Sequence, residues 1–137
     1  MAQLVIRTED TRGDLTWISQ QWQQPIQRMF WLHGVPTLSL RGGHRHQADC
    51  QMVLQCIVGS VSVHVQTPTQ DCTYCLQAAT EYLFLTGEDW RLMSNFSADA
   101  VLVVLASKPY QDTLYWEKAY RPVTEIVTEI GCSYDLG

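Results

Sequence analysis

The chain has 137 residues, which is close to the commonest size of a single domain, so we expect one domain over residues 1–137. Hydrophobic residues make up 46% of the sequence, which is enough for a packed core and excludes a disordered chain. The net charge of −5 contains no block of like charges and argues against a nucleic-acid-binding protein, although a local basic pocket could hold a small phosphorylated ligand.

The N-terminus and the cysteines bear on the cellular compartment. Residues 1–4 lack the charged-then-apolar order of a signal peptide, and no apolar run is long enough to span a membrane, so we expect a soluble, cytoplasmic protein. The five cysteines, an odd number, predict free thiols rather than a disulfide framework. Cys72 and Cys75 have the spacing of half a zinc site, but no second pair completes it, which favours ordinary strand or loop cysteines.

The first part of the chain predicts short strands separated by turns. A strand over residues 2–8 is followed by a turn at Arg12-Gly13-Asp14 and by a second strand over Leu15–Ser19. Residues 20–27 are polar, contain Pro25 and predict a loop. The aromatic-rich stretch Arg28–His33 predicts a strand that ends at Gly34, and Leu38–Arg41 leads into Gly42 and Gly43.

The middle of the chain contains the clearest strand pattern. Met52–Val58 and Val61–Gln66 are joined by Gly59-Ser60, and the second stretch alternates valines with polar residues. Because Gly59 can supply the positive φ of a tight turn, the pattern predicts a β-hairpin with one buried face.

The last part of the chain predicts four more strands and one helix. The strands are Thr73–Gln77, Tyr82–Leu85, Trp90–Met93 and Ala100–Ala106. Ala100–Ala106 is continuously apolar and is expected to be a central strand buried on both faces. Asp112–Tyr120 has imperfect helical spacing and predicts a short helix. Many short strands with at most one helix indicate an all-β sandwich or barrel, whose mouth is a common place for a ligand.

Within this framework, the segment Arg41-Gly42-Gly43-His44-Arg45-His46 carries the strongest chemical signal. Residues two apart on a strand point to the same face, so His44 and His46 are expected to project together, with Cα atoms ~6.5 Å apart at strand rise. Two adjacent imidazoles can accept and donate protons near neutral pH. The segment therefore predicts an acid–base site.

Several elements along the chain resemble the cupin-type sugar 3,4-ketoisomerases in order and spacing. They are Arg41–His46, Gln51, Gly59-Ser60, Trp90-Arg91-Leu92-Met93, Asn95-Phe96-Ser97, Leu105-Ala106-Ser107 and the tyrosine-rich segment from Tyr110 to Tyr120. The resemblance runs from about Arg28 to Tyr120. It implies a cupin-like double-stranded β-helix (jelly roll) with a short C-terminal helix, usually assembled as a homodimer with exchanged N-terminal strands.

The resemblance also implies an activity. Members of this family convert dTDP-4-keto-6-deoxyglucose to the 3-keto sugar in the biosynthesis of deoxyamino sugars of surface polysaccharides. The reaction uses no metal or other cofactor and proceeds by proton transfer through an enediol. By resemblance, His44 and His46 are the catalytic pair, and which of them is base and which acid stays open. Arg91 occupies a position that faces the sugar in the family, and an arginine there favours the quinovose-type product.

Further substrate contacts can be assigned to individual residues. Gln51 or Arg91 could donate a hydrogen bond to the developing oxyanion, and Arg41 could bind the diphosphate. Trp31 is a candidate for stacking on the nucleotide base. The family commonly has tyrosines in the strand before the motif, where this chain has Met29–His33. Either His33 or Trp31 replaces that contact, or the contact is lost.

The sequence is also compatible with two alternatives to a metal-free isomerase. A non-catalytic nucleotide-sugar binding module would keep the pocket without turnover. A metal-dependent cupin enzyme would need His-x-His, a nearby carboxylate and a further histidine from a later strand. The later histidine available is His64, in the predicted hairpin, and Asp49 is the nearby carboxylate. Because this set is incomplete, the sequence predicts no metal site.

Overall fold

The computed structural model describes residues 2–4, 6–10, 12–17, 24–78, 81–109 and 117–123, and in the strands before residue 18 it describes the backbone alone. These residues form eleven strands. They are β1 (Ala2–Leu4), β2 (Ile6–Asp10), β3 (Gly13–Trp17), β4 (Arg28–His33), β5 (Arg41–His44), β6 (Gln51–Val58), β7 (Ser60–Gln66), β8 (Asp71–Gln77), β9 (Glu81–Thr86), β10 (Trp90–Ser94) and β11 (Val101–Ala106). Within the described part of the chain there is no helix, and hence none long and apolar enough to cross a membrane.

The strands form two main antiparallel sheets. Sheet I has the order β1-β9-β6-β11-β4, sheet II has the order β5-β10-β7-β8, and β2 pairs with β3 separately. The predicted all-β class and jelly-roll arrangement are confirmed. The predicted helix Asp112–Tyr120 lies largely outside the described residues, and its described end, Glu117–Tyr120, is not helical.

The predicted hairpin between Met52–Val58 and Val61–Gln66 is wrong, although both strands exist. β6 pairs with β9 and β11 in sheet I, whereas β7 pairs with β8 and β10 in sheet II. Gly59 (φ +72) therefore turns the chain from one sheet into the other. A Cβ at this position would lie 2.6 Å from Asp99 Oδ1 and 3.0 Å from Ala100 Cα, so a side chain would not fit there.

The core lies between the two sheets and follows from alternation along each strand. Its inward-facing members include Met52, Leu54, Cys56, Val61, Val63, Val65, Leu102, Val104 and Ala106, together with Phe96. The prediction that Ala100–Ala106 is buried on both faces is wrong. Val101, Val103 and Leu105 of β11 are only partly buried, because they point to the outer face of sheet I.

The cysteines differ from the expectation of free thiols at one position. Cys50, Cys56 and Cys72 are free, whereas Cys75 is disulfide-bonded. An odd cysteine count excludes a fully paired set, but it does not exclude a single pair.

Candidate active site

A pocket opens between the two sheets at the end of the sandwich that carries the histidine motif. Its volume, including the open mouth, is about 440 Å³. Residues of five strands form its wall: Phe30, Leu32, Arg41, Gly42, His44, Met52, Leu54, Arg91, Met93 and Val104. The wall is mostly apolar, with two guanidinium groups and one imidazole as its titratable members. Such a combination is typical of a small-molecule site.

The two histidines of the motif lie against each other. Their ring centroids are 4.8 Å apart with an interplanar angle of 78°, an edge-on contact. His44 is partly buried, lines the pocket and pairs in register with Arg91 of β10. His46 follows the end of β5, is 2% exposed, and donates its backbone N–H to Gly87 O at 2.8 Å. The ring that can touch a ligand is therefore that of His44, and His46 lies behind it.

The surroundings of His44 keep its ring neutral. Burial lowers the pKa of His44 to about 4, and the positive charges of Arg91 and Arg28 act in the same direction. Near neutral pH the ring is thus a neutral imidazole, with one unprotonated nitrogen, rather than an imidazolium. A neutral imidazole that faces a pocket can accept a proton from a ligand.

Arg91 is a buried cation in the pocket wall. It is 2% exposed, and its guanidinium donates to Asp89 O (2.9 Å), Thr86 O (2.9 Å) and Met52 Sδ (2.7 Å). Burial lowers the pKa of Arg91 to about 10, which leaves the group charged at neutral pH. Since a guanidinium has five N–H donors, these bonds hold it rigid and leave donors for a ligand. Arg91 can therefore stabilise negative charge beside His44.

Arg41 connects the pocket to a neighbouring groove. It is exposed and lines both depressions, together with Leu32. The groove is open, about 790 Å³ in volume, and is further lined by Trp31, His33, Gly34, Val35, Pro36, Ser39 and Leu40. Trp31 (53% exposed) and His33 point outward from β4 and do not enter the pocket. They can contact a ligand only where it extends past Arg41.

Gln51 is not brought to the pocket. It lies at the start of β6, where the pocket is lined by Met52 and Leu54 instead. Alternation along the strand turns Gln51 to the same side as Val53, which packs with Leu105 on the outer face of sheet I. Of the two candidates for an oxyanion donor, the geometry retains Arg91.

The sequence reasoning missed residues of the strand that precedes the motif. Phe30 and Leu32 face the pocket, whereas the residues singled out on this strand, Trp31 and His33, face away. Arg28 points to the same side, with its guanidinium 5.3 Å from the centre of the Phe30 ring. Period-two alternation from Arg28 onward was the signal that could have identified this set, because all three are even-numbered positions of one strand.

The described residues contain no group of three or more His, Cys, Asp or Glu side chains able to hold a metal ion. His64, the later histidine, lies on β7 with its Nδ1 2.8 Å from Thr73 Oγ1, and Asp49 pairs with Lys108 at 3.0 Å. Cys72 and Cys75 stand three apart on β8 and so point to opposite faces. The donors considered from the sequence are therefore dispersed over the domain.

Comparison with known proteins assigns the family. The chain matches the family model "FdtA: WxcM-like, C-terminal" over residues 2–124. It is 31% identical over 108 residues to the TDP-4-oxo-6-deoxy-alpha-D-glucose-3,4-oxoisomerase of Aneurinibacillus thermoaerophilus, covering 77% of each chain. Among solved structures it resembles the sugar 3,4-ketoisomerase QdtA of Thermoanaerobacterium thermosaccharolyticum in complex with TDP (TM-score 0.75, 29% identity, 86% of this chain and 87% of that one). It also resembles the TDP-quinovose 3,4-ketoisomerase WlaRB of Campylobacter jejuni (TM-score 0.77, 27% identity, 86% and 92%). The chain therefore belongs to the FdtA, or WxcM-like C-terminal, family.

Proposed function

We propose that this protein is a nucleotide-sugar 3,4-ketoisomerase that converts a TDP-linked 4-keto-6-deoxyhexose to the 3-keto sugar. The observation that carries the proposal is a neutral His44 that faces the pocket, in register with the buried cation Arg91. The activities of the similar proteins from A. thermoaerophilus, T. thermosaccharolyticum and C. jejuni support it. The proposal includes a cytoplasmic location and a place in deoxyamino-sugar synthesis for surface polysaccharides.

The chemistry requires one positioned base and one positioned cation. The C4 carbonyl acidifies the proton on C3, and His44 accepts that proton while the electron pair of the C3–H bond forms an enediolate. Arg91 stabilises the negative charge on the C4 oxygen. A proton is then delivered to C4, the C4 oxygen gains a proton, and the C3 hydroxyl loses one, so that the carbonyl is on C3. His46 is the second member of the pair. It lies behind His44 and supplies this proton through the His44 ring, with which it is in contact.

The shape of the site suggests how the substrate lies. The hexose occupies the pocket, where Phe30, Leu32 and Met93 offer apolar contacts to its C6 methyl group. The diphosphate lies at Arg41, which borders both the pocket and the groove, and a guanidinium can bind phosphate oxygens in pairs. The nucleoside then extends into the groove beside Trp31 and His33. With Arg91 beside the sugar, we assign the quinovose-type configuration to the product.

Incubation with TDP-4-keto-6-deoxyglucose in deuterated water tests the activity. We expect the 3-keto product to form with deuterium at C4, and we expect His44→Gln to abolish both product and exchange. The conservative replacement keeps a polar side chain of similar size without a titratable group. If the wild-type protein binds TDP but yields neither product nor exchange, it is a binding module and the proposal is wrong.

We further propose that the protein is a homodimer with exchanged N-terminal strands. Met29 (57% exposed) and Ile57 (44%) are exposed apolar residues of sheet I that a second copy could cover. Within one chain β1 pairs with β9, with Gln3 opposite Tyr82, and an exchanged β1 would make the same pairs with the partner's β9. A protein carrying Gln3→Cys and Tyr82→Cys would then form a disulfide-linked dimer on non-reducing gels. A monomeric band with an internal disulfide would contradict the exchange.

A further inference from the structure

The segment Glu117–Val123, here called the tail, lies against the outer face of sheet II. Ala119, Tyr120 and Val123 pack on Trp90 and Leu92 of β10. Trp90 Nε1 donates to Glu117 O at 3.0 Å, which fixes the start of the tail on the strand that also carries Arg91. The tail thus reaches the outside of the active site, opposite the pocket.

Tyr120 makes two specific contacts from this position. Its hydroxyl donates to Glu88 O at 2.7 Å. The guanidinium of Arg45 lies over its ring, 4.9 Å from the centroid, which is a cation–π geometry. Tyr120 is itself partly buried, and it makes these two contacts in addition to its packing on Trp90 and Leu92.

Both partners of Tyr120 belong to segments that hold His46. Arg45 is the residue between the two histidines, and Glu88 follows Gly87, whose carbonyl accepts the backbone N–H of His46. The two segments are in close contact, since a Cβ added to Gly87 would lie 1.6 Å from Gln47 O. β5 ends at His44, so His46 lies outside the strand that orients His44. Tyr120 therefore links the segment of Arg45 and His46 to the turn at Gly87-Glu88, beyond the end of β5.

We propose that Tyr120 is a positioning residue for the histidine pair, acting through Arg45 and through the turn at Gly87-Glu88. The inference rests on the proposed function, in which His44 and His46 move protons. Losing this connection displaces His46 relative to His44 without altering the pocket wall, because Tyr120 does not line the pocket. A misplacement of ~1 Å can lower a rate ~100-fold. Because the pocket that binds the substrate is unchanged, we expect this loss in kcat rather than in KM.

Two substitutions separate the contributions of Tyr120. Tyr120→Phe removes the hydrogen bond to Glu88 O and retains the ring below Arg45, and we expect kcat to fall ~3- to 10-fold. Tyr120→Leu removes both contacts, and we expect a fall of ~10- to 100-fold. KM is expected to stay within twofold in both variants. The matched control is Tyr82→Phe, which removes a tyrosine hydroxyl from β9 in sheet I and should leave kcat unchanged.

NMR of the histidine rings tests the positioning role in folded protein without relying on a rate. The ring resonances of His44 and His46 in the folded variants are expected to shift in Tyr120→Phe and Tyr120→Leu but not in Tyr82→Phe. If kcat and both sets of resonances match those of the control, the inference is wrong. If His44→Gln retains full exchange, the proposed function fails instead. If His44→Gln loses exchange while Tyr120→Leu keeps the wild-type kcat and histidine resonances, the role of Tyr120 is wrong and the proposed function stands.

Discussion

The neutral state of His44 predicts an unusual acid limb in the pH profile. Its pKa is lowered to about 4 by burial and by the charges of Arg91 and Arg28. At about pH 5.5 such a histidine is ~97% neutral, whereas one with the ordinary value near 6.5 would be only ~9% neutral. If His44 is the base, kcat/KM at about pH 5.5 should therefore remain within roughly 10% of its value at about pH 7.5 rather than falling ~10-fold.

The measurement is kcat/KM between about pH 4.5 and 8, because this parameter reports the ionisation of the free enzyme. The fold must persist over that range. His44 in the unfolded chain takes up a proton near pH 6.5 and in the native protein near pH 4, so the domain loses stability as the pH falls through this interval. Circular dichroism at each pH controls for this loss. A kcat/KM that falls by half near pH 6.5 in folded protein would refute the reasoning.

A variant extends the same argument. Arg28→Gln removes one of the two positive charges that lower the pKa of His44, so the midpoint of the acid limb should move upward. The same shift should appear when the His44 ring is titrated by NMR. An unchanged midpoint would mean that burial and the charge of Arg91 keep the ring neutral without a contribution from Arg28.

Three other predictions concern binding, packing and metal dependence. Arg41→Ala should raise KM for the nucleotide sugar ~10-fold or more with kcat within about twofold, as measured by steady-state kinetics, because it removes a phosphate contact but no group beside the sugar; an unchanged KM would move the diphosphate elsewhere. Gly87→Ala should lower the free energy of unfolding by ~2 kcal/mol or more in urea denaturation, because its Cβ would overlap Gln47 O, and a loss below ~0.5 kcal/mol would contradict the packing. Dialysis against EDTA should leave kcat intact, and activity that is lost and then restored by a divalent metal would favour a metal-dependent enzyme.

The strands were predictable because side-chain alternation is a local property. Arg28–His33 and Trp90–Met93 were placed almost to the residue, and they carry part of the pocket wall. Strand partners are not local. β6 and β7 have the sequence of a hairpin, yet Gly59 carries the chain across the sandwich, and nothing in alternation distinguishes a turn within a sheet from a turn between sheets.

The candidate site was predictable for those residues whose side chains have suitable chemistry and also lie in the pocket. His44 and Arg41 of β5 meet Arg91 of β10 in one pocket. Gln51, Trp31 and His33 were chosen for their chemistry and their nearness in sequence to the motif, but each points away from the pocket. Phe30 was overlooked because a phenyl ring offers no polar group to a mechanism, although its direction placed it in the wall.

The pocket wall has a consequence for how the domain unfolds. Its side chains come from β4, β6 and β11 of sheet I and from β5 and β10 of sheet II, which are far apart in sequence. A partly unfolded state that separates the sheets therefore has no binding site, and bound ligand stabilises the closed sandwich as a whole. At a ligand concentration of 100 times Kd this linkage amounts to ~2.7 kcal/mol. Substrate in the cell would then slow the degradation of this protein as well as occupy its site.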